Sequence, residues 1–227
     1  MAEGKSFWSS LPGILTALAG LITAGGGLLL ALQGAGLIGG GAHDAAAVQV
    51  PAAPALLERL GVSAPPRRAL RGAPTTLGEG RLAAALIERG LYDAQLNPTG
   101  AGIDNRFETT VQGEEVTIRD ATTGLLWQRG GTAGLDLAGT QAALARLNER
   151  GYAGQHDWRL PTAEEAASLM EAAPVDGRHI DPAFGSSVSF IWTADRTPDG
   201  KAYVAYWADG RLAAERPEFN AWLRAVR

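Results

Sequence analysis

The residues best suited to hold a ligand lie near the end of the chain. Asp195, Arg196, Tyr203, Trp207, Arg211, Arg216 and Phe219 mix aromatic rings with charged groups. Rings stack on sugars or on apolar side chains, and arginine adds directional hydrogen bonds; both types are enriched where binding energy concentrates. Strand alternation sends about half of such aromatics inward. A loop surface that binds a ligand and a purely packed set therefore stand side by side. Elsewhere the chemistry is thinner. His156 and Asp157 are sequence neighbours, which rarely face each other usefully as base and orienter. Ser186, Ser187 and Ser189 sit in no G-x-S-x-G setting, so no nucleophile is expected among them. Asp93, Asn97 and Asp104 offer oxygens to Ca²⁺, yet they lack EF-hand spacing and suit Asx turns better. Arg159 can bind an anion or close an internal salt bridge, and Asp181 can act as an acid or organise a turn.

These groups must be carried by short strands and helices. Val116–Ile118 and Leu125–Trp127 flank a turn at Asp120–Gly124 and read as a hairpin. A helix is expected over Glu79–Arg89, with Leu82, Leu86 and Ile87 on one face and Gly90 stopping it. A second is expected over Thr140–Arg150, with Ala143, Leu144 and Leu147 inward. Pro161 keeps Leu160 out of the helical region. Thr162 and Glu165 then form a capping box for a third helix, whose stripe is Ala166, Leu169 and Met170. Ser189–Thr193 is a strand containing Phe190 and Trp192. After a turn at Thr197–Gly200, Lys201–Ala208 alternates, with Tyr203, Ala205 and Trp207 on one face and Val204 and Tyr206 on the other. Asp209-Gly210 marks a hairpin, and Trp222–Val226 a last strand. Strands bracketing helices make this an α+β domain.

Composition narrows the function. The chain has 227 residues, a formal charge of −4 and no cysteine. Its only lysines are Lys5 and Lys201, a poor set for phosphate contacts, so nucleic-acid binding is not expected. Without cysteine there is no disulfide scaffold, Cys-ligated zinc, iron–sulfur cluster or thiol nucleophile. His43, His156 and His179 have no metal-ligand spacing, so neither a metal nor a cofactor is expected.

Between Lys5 and Asp44 no Asp, Glu, Lys or Arg occurs. Residues 1–42 read as a hydrophobic membrane anchor, with a helix over about 11–32 long enough to span a bilayer. Phe7 and Trp8 suit its interface, and Gly20 and Ala24 have the small-xxx-small spacing of a homo-oligomer contact. Glu3 offsets Lys5, which argues against a signal peptide. Arg59, Arg67, Arg68 and Arg71 follow the helix, which leans the C-terminal part towards the cytoplasm. Residues 43–78 read as an Ala/Pro-rich linker with a short helix near Ala55–Leu60. Residues 79–227 form the domain, with a lead-in over 79–113 and a core over 114–227.

The runs VTIRDATTGLLWQRGG, LNERGYAGQHDWRLPTAEEAASLME, IDPAF, IWTAD, YVAYWADG and LRAVR follow one another in order. They resemble the bacterial family of the Lcl C-terminal domain, marked by D-x-x-T-G-L-x-W-Q, W-R-L-P-T and V-R-x-V-R. The residues carrying the resemblance include Asp120, Gly124, Trp127, Trp158, Arg159, Pro161, Thr162, Glu165, Asp181 and Trp192. LIERGLYDAQLNPTGAGI resembles a segment that often precedes this domain. The resemblance implies a C-type-lectin-like fold with two helices and a short-stranded antiparallel sheet, used to bind a glycan or a protein and not for a reaction. The family is named for a surface protein that binds sulfated polysaccharide, but no basic face for such a ligand is evident here. Formylglycine-generating enzymes have a related fold and work through cysteines, so their activity is not implied. Many members carry Cys where this chain has Leu223-Arg224-Ala225. Two functions are compatible with all this: a membrane-anchored binding or sensor protein, and an assembly subunit whose domain and helix both contact partners.

Overall fold

Leu82 and Leu86 are one helical turn apart, and both are fully buried in the first helix, α1 (Glu79–Arg89). Gly90 ends α1 in the left-handed conformation (φ 63°), where its N–H reaches back to Ile87. Ile87, expected on the buried face, is 59 % exposed, because the inward stripe is narrowed to Leu82 and Leu86. A computed structural model describes residues 67–227. The anchor over 1–42, the helix near Ala55–Leu60 and the linker as far as residue 66 lie outside the described residues.

Next come β1 (Phe107–Gln112), β2 (Glu115–Asp120) and β3 (Leu126–Gln128), which form one antiparallel sheet in that order. The hairpin of β2 and β3 is the expected one. β1 lies in the lead-in over 79–113, where no strand is expected, because all its residues except Phe107 are exposed and none marks a buried face. Asp136 caps α2 (Leu137–Glu149), its carboxylate accepting from Gly139 N at 2.7 Å, so this helix begins three residues before Thr140. Ala143 and Leu147 are buried on it as expected.

The capping box of Thr162 and Glu165 is present and starts α3 (Ala163–Ala167). α3 is shorter than expected: Ser168 Oγ bonds Glu165 O at 2.7 Å, and Leu169 and Met170 are buried beyond its end. The second sheet holds β4 (Thr132–Leu135), β5 (Phe190–Arg196), β6 (Ala202–Tyr206), β7 (Arg211–Glu215) and β8 (Ala221–Leu223), in the order β4-β8-β5-β6-β7. Its pairs are antiparallel except β5 with β8, which is parallel, so the sheet is mixed and not purely antiparallel.

Successive residues of β5 and β6 face opposite cores. Ile191, Tyr203 and Ala205 join Leu82, Leu86, Ala166, Ile118 and Trp127 on one side. Trp192, Ala202 and Val204 join Leu137, Leu147, Tyr152 and Trp158 on the other. The sheet is thus a wall with α1 and α3 on one face and α2 on the opposite face. The architecture is α+β. Beyond β8, Val226 exchanges two backbone hydrogen bonds with Arg159, each 2.9 Å, and Arg227 exchanges two with Leu126, each 3.0 Å. The end of the chain therefore staples β3 to the Trp158–Arg159 segment.

Candidate functional site

Asp195 is fully buried and accepts four hydrogen bonds. Arg71 Nη1 and Nη2 approach its two oxygens at 2.8 and 2.7 Å in a planar fork. Thr75 N and Ala163 N complete the set, each at 2.8 Å. Arg71 Nε turns to Glu164 Oε1 at 2.8 Å, and Glu164 Oε2 meets Arg89 Nε at 2.6 Å. The Asp195 hydrogen bond, ahead of Glu164, raises the Arg71 guanidinium above its ordinary range against the opposing cost of burial. Beside this network, Arg159 forks onto Glu165 at 2.7 and 2.6 Å, while Glu165 also accepts from Thr162 N at 2.9 Å. Arg159 thus closes the internal salt bridge. With Arg119, Asp157 and Arg227 it also borders a concavity of about 310 Å³.

The expected ligand set does not assemble as one surface. Asp195 is consumed by Arg71. Trp207 is 0 % and Tyr203 2 % exposed, both in the α1/α3 core, and Tyr203 Oη donates to Leu77 O at 3.1 Å. These three are corrected to structural residues: α1, α3 and residues 71–77 cover the sheet face that holds them. Arg196 is half-buried, and its backbone pairs with Thr75 and Leu77. Desolvation lowers its guanidinium pKa, partly offset by Asp195.

Arg211, Arg216 and Phe219 do come to one region. The register places Phe190, Tyr206 and Arg211 side by side across β5, β6 and β7. Phe190 and Tyr206 have ring centroids 5.3 Å apart, and the Arg211 guanidinium lies 4.9 Å from the Tyr206 ring. Phe219, from the β7–β8 connection, sits against the row, 5.7 Å from Phe190 and 6.4 Å from Tyr206. Tyr206 Oη donates to Glu215 Oε1 at 2.8 Å. Burial, then this carboxylate, raises the phenol pKa, so Tyr206 remains a neutral donor at physiological pH. Arg216 and Phe219 also line an open concavity of about 750 Å³ with Lys201, Glu215 and Glu218. None of Phe190, Glu215 and Lys201 is a ligand candidate in the sequence, although Phe190 lies in an expected strand. Only the strand register joins Phe190 to Arg211.

Residues 116–227 match the family of the Lcl C-terminal domain. This part of the chain belongs to that family. No curated protein and no solved structure matches the chain. The marks of the Lcl C-terminal domain are its framework. Asp120 is buried and accepts from Thr122 N at 2.8 Å and Thr123 Oγ1 at 2.5 Å, while Gly124 N returns to Asp120 O at 2.7 Å. Trp127, Trp158 and Trp192 are core residues, and Trp158 Nε1 and Trp192 Nε1 donate to Tyr152 O and Leu135 O, each at 2.9 Å. Pro161 and Thr162 are buried at the start of α3. Asp181 caps the turn Pro182–Phe184 through Ala183 N at 2.7 Å. Upstream of the Lcl C-terminal domain, Asp93 Oδ1 accepts from Gln95 N and Leu96 N, and Oδ2 from Leu212 N at 2.7 Å, which is turn chemistry. Among the described residues no group of three or more His, Cys, Asp or Glu is placed to hold a metal. His156 is exposed.

Proposed function

We propose that this protein is a non-catalytic ligand-binding or sensor protein. Its Lcl C-terminal domain has a C-type-lectin-like fold and is held to a bilayer by the helix over 11–32, with the domain on the cytoplasmic side. The observation that carries the binding role is the half-buried row Phe190–Tyr206–Arg211 with Phe219 against it. Rings fixed in a sheet lose little entropy on binding, and Arg211 and Glu215 add polar specificity. The ligand is a glycan or a protein segment that offers an apolar face and hydroxyl or amide groups.

The full-length protein, in mild detergent, is to be screened on glycan and peptide arrays. Arg211→Ala and Phe219→Ala are each expected to weaken a hit about tenfold, in line with one hot-spot side chain. Unchanged binding by both variants would remove this surface from the reading. One feature favours a second reading, an assembly subunit: among the described residues β1 is an unpaired edge of its sheet, and its Val111 is 67 % exposed. A protein partner lost on Val111→Lys but kept in Arg211→Ala would support that reading.

A further inference from the structure

Three arginines converge on residues 183–188 from three different elements. Arg129 follows β3, Arg178 precedes the Pro182–Phe184 turn, and Arg224 follows β8. All their acceptors are backbone carbonyls. Arg129 Nε donates to Ala183 O at 2.7 Å. Arg178 donates to Ser186 O at 2.5 Å and to Val188 O. Arg224 Nη2 donates to Arg129 O at 2.8 Å and Phe184 O at 3.1 Å, with its guanidinium 5.0 Å from the Phe184 ring. Among the described residues none of the three forms an ion pair.

Arg224 has no exposed surface, and its Nη1 has no hydrogen-bond partner. Burial, then repulsion from Arg178 and Arg129, lowers its pKa to about 9. A buried cation is ordinarily paired with an anion. Here the carbonyls supply only partial charge, so among the described residues the buried Arg224 has no anionic partner, while Arg178 is half-exposed and Arg129 is exposed to solvent.

The carbonyls that Arg224 holds, those of Arg129 and Phe184, belong to residues lining a concavity of about 430 Å³. Arg129, Ser186 and Ser187 line it as well, with Glu114 among the lining residues. Gly185 has φ 67° and ψ 175°, a conformation for glycine, and a Cβ there would lie 3.7 Å from Arg129 Nη2. The guanidinium of Arg129 therefore lies close against the loop.

We propose that this concavity binds a carboxylate, held by the Arg129 guanidinium and the Ser186 and Ser187 hydroxyls, with Arg224 bonded to the backbone carbonyls of two of its lining residues. The planar guanidinium of Arg129 matches a carboxylate, and Glu114, which repels any anion, penalises a doubly charged one more than a singly charged one. This site shares no residue with the Phe190–Tyr206–Arg211 row, so its failure leaves the reading of that row intact.

The test is thermal unfolding of the full-length protein, read by tryptophan fluorescence, with sodium acetate against sodium chloride at equal ionic strength. Arg129→Gln and Ser187→Ala are run beside the natural chain, so that general salt effects cancel between proteins. Acetate is expected to raise the midpoint of the natural chain in a saturable way. The apparent affinity should fall about tenfold in Arg129→Gln, the loss of one charge-assisted hydrogen-bond pair, and less in Ser187→Ala. An acetate effect no larger than that of chloride, or an equal one in Arg129→Gln, would overturn the site. A saturable response to inorganic sulfate with none to acetate would overturn the carboxylate assignment.

Discussion

A carboxylate with no exposed surface and four donors around it has nothing left to offer a ligand, and Asp195 is in that position. Its sequence neighbours give no hint of this, because Arg71 stands 124 residues away. Asp195→Ala should cost about 3 kcal/mol, since it removes the fork on Arg71, leaving that cation only Glu164, and strands the buried N–H of Ala163. The check is the midpoint of denaturant unfolding. Glu171 makes the opposite kind of prediction. Burial first, then Asp181 and Asp104, raises its pKa above the ordinary 4.5. The folded chain then keeps this proton to higher pH than the unfolded chain does. Stability therefore falls as pH rises from 4.5 through the raised value. Glu171→Gln should remove that fall. Its thermal midpoint should exceed that of the natural chain near neutral pH, and the two should converge well below pH 4.5.

At the scale of elements, the legible pieces were those with both a period and a punctuation mark. α1 has Leu82 and Leu86 one turn apart and Gly90 at its end; the β6–β7 hairpin has alternation and Asp209-Gly210. β1 and β4 have neither, because most of their residues are exposed and no buried face writes itself into the sequence. The segment just before α1 is the clearest case of information carried by partners. By composition it is the tail of the linker expected over 43–78, yet Leu77 N donates to Arg196 O at 2.9 Å, Arg196 N to Thr75 O at 3.0 Å, and Thr162 Oγ1 to Arg71 O at 2.8 Å. Replacing Arg71–Leu77 with a Gly/Ser stretch should lower the unfolding midpoint markedly, since it removes the Arg71 fork as well as these bonds. A true linker would tolerate the exchange, so an unchanged midpoint would return the segment to that role.

For the whole molecule, the charge-free stretch between Lys5 and Asp44 sets the physical expectation. Among the described residues no helix is long and apolar enough to cross a membrane, so the proposed anchor is confined to residues 1–42. Full-length protein should stay with membranes through alkaline carbonate extraction, and deletion of residues 1–42 should release it. Full-length protein in the soluble fraction would end the anchor model. Protease digestion of intact cells then reports the side of the domain: protection agrees with the cytoplasmic lean, and cleavage reverses it.

By itself, the sequence determined the α+β class, most helix and hairpin positions, and membership of the Lcl C-terminal domain family over residues 116–227. Those depend on local period, on caps and turns, and on ordered motifs, all of which a linear chain displays. Which polar groups remain available was decided only in three dimensions. Strand parity correctly placed Tyr203 and Trp207 on one face and Val204 on the other, but not that both faces would be covered. Accessibility is set by what packs on top, and for this sheet the cover comes from α1, α3 and α2. The same holds for charge. Arg71 meets Asp195, and Arg129, Arg178 and Arg224 meet one another, because residues distant in the chain share a small volume. A sequence states how many charges a protein has; only the packed structure decides which are neutralised.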